Sequence, residues 1–118
     1  MNIEFIRGDT YSFRFQRKLK NDEIITERPN QVFFSAKEYY GDEECIFQKR
    51  LSNGTIIYDE SDNYYYITIN PEDTCNLEMG KSYYFDIVIV KDKEVKTIVV
   101  GKMKLLIEVT FKENEVYD

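Results

Sequence analysis

The stretch that most restricts what this chain can become runs from Ile69 to Val90, INPEDTCNLEMGKSYYFDIVIV. Its last part alternates with period two. Tyr83, Phe85, Ile87 and Ile89 fall on one face and Tyr84, Asp86, Val88 and Val90 on the other, a strand pattern. Just upstream, Pro71, Asp73 and Asn76 favour a turn, and Gly80 gives the backbone freedom before the strand begins. Leu77 is the only large aliphatic residue in that turn, so it is expected to plug the base of a core.

The same alternation recurs along the chain. Asn2 to Arg7 reads as a short strand, Gly8-Asp9 as a turn, and Tyr11, Phe13 and Phe15 as the apolar face of a second strand. Arg17 to Asn30 is polar and reads as a loop pinned by Ile24 and Ile25. Gln31 to Tyr40 follows as a third strand, with Val32, Phe34 and Ala36 inward and Phe33 outward. Cys45 to Leu51 is short and amphipathic. Thr55 to Tyr58 and Tyr64 to Asn70 flank a polar connection suited to a hairpin, with Tyr65, Ile67 and Ile69 as core and Tyr64, Tyr66 and Thr68 outside. Beyond Lys91-Asp92-Lys93-Glu94 comes Val95 to Val100, then Gly101 as a bend or bulge. A last strand, Lys102 to Phe111, turns Met103, Leu105, Ile107, Val109 and Phe111 inward and Glu108 outward, before an acidic tail from Glu113 to Asp118.

Seven to nine short strands without sustained helical periodicity predict an all-β protein, an antiparallel immunoglobulin-like β-sandwich. A small barrel is the competing all-β solution. In immunoglobulin-like sandwiches a tyrosine shortly after a corner returns its hydroxyl to the upstream backbone, and Tyr83 is the candidate for that role. With 118 residues and no repeat or linker, residues 1–118 are expected to form one domain.

Charge and residue usage act mainly by exclusion. A formal charge of −6 repels phosphate backbones and anionic lipid, which argues against nucleic-acid and membrane-surface partners. No apolar run reaches the ~20 residues of a spanning helix, and the start lacks a cleaved-signal pattern. Cys45 and Cys75 form no paired-cysteine motif, so two unbridged thiols in a reducing compartment are expected. Histidine is absent, which removes Ser-His and Cys-His nucleophile arrangements and the commonest metal ligand. The acidic residues cluster in turns, so neither catalytic residues, nor a metal, nor a cofactor is expected, and the chain reads as a non-enzyme. The run from Asp59 to Asn63 fails the EF-hand pattern, offering Tyr64 and Asn70 where Gly and Glu are needed. Arg7-Gly8-Asp9 reads as a turn, and Arg17-Lys18-Leu19-Lys20 is too short for a nucleic-acid groove.

The positive signal is aromatic. Phe33, Tyr64, Tyr66 and Tyr84 all fall on the non-core side, where such residues favour protein interfaces or sugar-stacking platforms; a one-residue slip, or a second sheet over that face, would instead make them core. Asp86 interrupts an apolar strand, and if its face were covered it would need Lys102 or Lys104 as a partner.

Several segments together resemble a family of small immunoglobulin-like proteins of tailed bacteriophages and prophages, similar to the amino-terminal domain of phage baseplate upper proteins. They are RGDTYSFRF from Arg7, QVFFSAK from Gln31, ITINPEDTCNLEMGKSYYFDIVI from Ile67 and TIVVGKMKLLIEVT from Thr97. The family's Asp-x-x-x-Leu-x-x-Gly-x-x-Tyr corner is matched by Asp73, Leu77, Gly80 and Tyr83. The resemblance implies a virion structural protein of the tail, baseplate or capsid, made in the bacterial host cytoplasm. Such a protein would bind other virion proteins or itself. A carbohydrate-binding module using Tyr64, Tyr66 and Tyr84 is the alternative expectation, with a glycan as partner.

Overall fold

The computed structural model describes residues 1–109. Among the described residues eight strands form two sheets: β1 Asn2–Ile6, β2 Tyr11–Gln16, β3 Gln31–Lys37, β4 Phe47–Arg50, β5 Ile56–Asp59, β6 Tyr64–Ile69, β7 Ser82–Lys91 and β8 Glu94–Leu106. A one-turn helix, α1 Pro71–Thr74, occupies part of the predicted turn. One sheet has the order β1-β8-β7-β3-β4 and the other β2-β6-β5. The architecture is a β-sandwich. All pairings are antiparallel except one, since β1 lies parallel to β8 with Ile3 opposite Met103 and Phe5 opposite Leu105.

The core is built from the alternating faces. Val32, Phe34, Tyr83, Phe85, Ile87, Ile89, Met103 and Leu105 of the larger sheet meet Ile56, Tyr58, Tyr65, Ile67 and Ile69 of the smaller one, all buried. Tyr11, Phe13 and Phe15 cover this layer from β2, with Phe15 stacked on Tyr65 at 4.9 Å between centroids. A one-residue slip in β7 or β6 would exchange each buried row for its outward neighbours, burying Asp86 or Thr68 and exposing Phe85, Ile87, Ile67 and Ile69, so the register is fixed by burial.

Three expectations are corrected. Gly101 does not bend the chain: Val95 to Val100 and the following segment form the single 13-residue β8. Its role is close approach, because a Cβ there would overlap the Met1 carbonyl oxygen and lie 2.8 Å from Phe85 Cζ. The irregularity falls instead between Ile87 and Val88, where Ile87 faces Val99 but Val88 faces Thr97, leaving Ile98 as the extra residue. The last strand stops at Leu106, where its pairing with β1 runs out, so Ile107 and Val109 are exposed. Glu108, expected outside, is buried and paired with Arg7. Phe111 and the acidic tail lie outside the described residues.

Gly101→Ala is expected to lower the stability by about 1–3 kcal/mol, the usual range for forcing extra volume into a packed site. Urea unfolding with an unchanged m-value checks it; an unaltered midpoint would show that the edge strand β1 moves aside freely.

Candidate functional site

Three of the buried polar residues among those described, Lys49, Thr74 and Glu108, are tied to the predicted corner. Asn70 caps α1, and the Asp73 carboxylate reaches back to accept the Asn70 N–H at 2.7 Å, closing a capping box. The same carboxylate takes the Lys49 ammonium at 2.6 Å. Lys49 stands opposite Phe34 on the inward side of β4 and is only 6 % exposed, so its charge depends on this partner. Leu77 packs against the core, and its carbonyl accepts Arg7 Nη1–H at 2.9 Å. Thr74 Oγ1 accepts the Gly8 N–H, and Arg7 pairs with Glu108. Arg7-Gly8-Asp9 is thus a turn whose arginine is spent inside the fold. Gly80, at φ +77°, donates its N–H to Leu105, and Tyr83 Oη accepts the Glu78 N–H at 2.9 Å. That last bond ties the strand to the backbone five residues upstream.

The four outward aromatics do not share a surface. Phe33 and Tyr84 lie on the outer face of the five-stranded sheet, Tyr64 and Tyr66 on the outer face of the three-stranded one. The two pairs therefore sit on opposite sides of the sandwich. All four are half-buried, which local contacts explain. The Arg14 guanidinium lies 4.0 Å above the Tyr64 ring, and the Tyr66 hydroxyl bonds to Asp62. The bond to the carboxylate pushes the Tyr66 hydroxyl above its ordinary pKa, with Arg14 opposing. On the other side Tyr40, from the loop after β3, packs on Tyr84 at 4.2 Å, and Arg50 lies 5.4 Å from the Phe33 ring.

Phe33 and Tyr84 belong to a larger apolar strip. Cross-strand neighbours on the same face are Val88 opposite Phe33, and Val95 opposite Val90, while Val100 lies opposite Asp86. Val95 is 67 % and Val100 52 % exposed. Asp86 sits within the strip, flanked by Ser35 and Val100, and makes no ion pair with Lys102 or Lys104. Its half-exposed face keeps the charge hydrated.

Sequence reasoning missed Lys49, Glu108 and Tyr40. Lys49 was legible in principle, since FQKR alternates and Phe47 and Lys49 must share a face. Nothing local marks Glu108 or Tyr40, because each is defined by a partner distant in sequence. Among the described residues no group of three Cys, Asp or Glu is placed to hold a metal, and no helix is long and apolar enough to cross a membrane. Neither cysteine is bridged; Cys45 is exposed and Cys75 buried. No protein-family model and no curated protein matches the chain.

Asp73→Asn is expected to cost about 3 kcal/mol in denaturant unfolding, since it leaves a buried ammonium without its counter-charge. A loss below 1 kcal/mol would mean that Lys49 escapes to water. Tyr65 Oη is fully buried without a hydrogen-bond partner among the described residues, and burial pushes its pKa up, with the nearby Arg17 opposing. Its folded pKa lies above the unfolded value of about 10. The unfolded state therefore holds fewer protons above pH 10, and stability falls as pH rises through that range. Tyr65→Phe is expected to flatten this alkaline decline in urea midpoints between pH 8 and pH 11 while leaving pH 7 stability equal or higher.

Proposed function

We propose that the protein is a non-enzymatic structural component of a bacteriophage virion, acting in tail, baseplate or capsid by protein–protein binding. It would be made in the host cytoplasm and reside in the particle. The observation that carries the reading is the outer face of the five-stranded sheet. Phe33, Tyr84, Val88, Val90, Val95 and Val100 form an apolar strip, interrupted by Ser35 and Asp86, on strands within one sheet. Clustered apolar surface of this kind marks interaction sites on soluble domains. The segments that resemble phage baseplate proteins include β3, β7 and most of β8, the three strands that build this face, and the Asp73–Tyr83 corner that holds β7 in place.

The carbohydrate alternative draws less support. Its three tyrosines lie on two opposite faces, one face of the Tyr64 ring is covered by Arg14, and the Tyr66 hydroxyl is engaged by Asp62. A stacking platform needs open rings side by side.

Co-purification with the virion proteins encoded beside its gene tests the reading. Wild-type protein is expected to retain at least one tail, baseplate or capsid protein. Val88→Lys with Val100→Lys is expected to lose it while unfolding within about 0.5 kcal/mol of wild type, as surface changes do. Capture of none of these proteins by the folded wild type would overturn it.

A further inference from the structure

The two ends of the sandwich are chemically opposite. At one end the β7–β8 hairpin, the end of β2 and the residues that follow it line a groove of about 440 Å³, within the range of binding sites generally. Phe15, Ile25, Ile89, Ile98 and Val99 supply apolar walls. Arg17, Lys18, Lys91 and Lys96 rim it, against one lining carboxylate, Glu94. Lys91 is held by Glu27 at 3.0 Å, whereas Lys18 and Lys96 are exposed and take part in no ion pair among the described residues. In a chain of net charge −6 this is a local excess of cations around an apolar slot.

At the opposite end stands the loop after β3. β3 begins beside the groove, with Gln31 opposite Val90, and ends at Lys37 opposite Tyr84. Seven residue steps along β7 lead from Tyr84 to Lys91, about 23 Å at ~3.3 Å per step. The loop presents Tyr39 and Tyr40, 58 % and 55 % exposed, followed by Asp42, Glu43 and Glu44. Asp42 is turned back onto the Tyr39 N–H, while Glu43 and Glu44 are exposed and make no ion pair among the described residues. Aromatic rings beside free carboxylates are what an apolar slot with a cationic rim accepts.

We propose that the groove receives the Tyr39–Glu44 loop of a second copy, so that molecules associate head to tail. The loop cannot reach the groove of its own chain, being at the far end of the same sheet. Because the two surfaces differ, a pair keeps one loop and one groove unused, and the contact repeats into columns or closes into rings. The proposal shares with the virion reading only the premise that the protein works by binding proteins, and it uses a different surface.

Sedimentation velocity over a wide concentration range, at low and high salt, tests it. Wild type is expected to form species larger than dimers that shrink as salt rises. Lys18→Glu with Lys96→Glu, and separately Glu43→Lys with Glu44→Lys, are each expected to stay monomeric; all four side chains are exposed, so circular dichroism should match wild type. Mixing the two variants is the decisive arm. The intact acidic loop of one fits the intact basic groove of the other, and the reversed loop fits the reversed groove, so mixing is expected to restore species larger than dimers in which the two variants alternate. A photo-crosslinker on the exposed Cys45, next to the loop, should mark peptides holding Arg17–Ile25 or Glu94–Val99 of another copy. A wild-type monomer at every concentration would overturn the proposal, as would association that survives both variants or a groove filled by a co-purifying anionic amphiphile in native mass spectra. Any of these leaves the virion reading to be decided by its own binding experiment.

Discussion

Everything in this sandwich hangs on the buried row of β7, Tyr83, Phe85, Ile87 and Ile89. β7 is flanked by β8 and β3 along nearly its whole length, so its backbone polar groups are satisfied by ladders on both sides. Its inward side chains are each at most 4 % exposed. Fully burying an aliphatic or aromatic side chain contributes roughly 1.5–3 kcal/mol, so this one row outweighs most single polar contacts in the molecule. Phe85 tilts against Phe34 at 5.2 Å, and Phe34 against Phe13 at 5.6 Å, which carries the packing from β7 across β3 into the smaller sheet. The two sheets are joined through aromatic rings.

Such a row must enter the sheet at one register only, and the corner supplies that. The Tyr83 hydroxyl receives the Glu78 amide, Gly80 donates to Leu105, and Leu105 donates back to Lys81. These bonds fix where β7 begins relative to β8. Asp73 and Lys49 fasten the corner to β4 at the far edge of the sheet, and Arg7 links it to the β1–β2 turn and to Glu108. Buried ion pairs are weak contributors to stability against an apolar alternative, but costly to break. Here they select the arrangement: any slip of β4 or of the β1–β2 turn would strand a buried charge.

The legible and illegible parts of the fold separate along this line. Inward rows in β2, β3, β6 and β7 were readable because period-two alternation is a local property, and Tyr83 was readable because its partner is five residues away. Gly101 was misread as a bend or bulge because a glycine within a strand pattern fits two demands equally, a local irregularity or close approach, and only the position of Met1 decides between them. The end of β8 was overextended because the alternation continues through Ile107 and Val109 after the pairing partner has ended. The outward set of Phe33, Tyr64, Tyr66 and Tyr84 was correct in facing and silent on grouping. Alternation says which side of its own strand a residue occupies; it does not say that β6 and β7 lie in different sheets.

That silence bears on how a protein with the proposed binding role would carry information. With no histidine, and with its deepest charges consumed by the corner, the chain has its chemical variety on its periphery. The periphery is not uniform: a valine and aromatic strip on one face, arginine-capped tyrosines on the other, cations at one end and carboxylates at the other. A surface divided in this way can hold several neighbours at once, each recognised by a different interaction. Salt acts on them unequally, since charge attraction between exposed groups is screened over about 10 Å at 0.1 M whereas apolar burial is not. End-to-end contacts would therefore loosen at ionic strengths at which the strip still holds its partner.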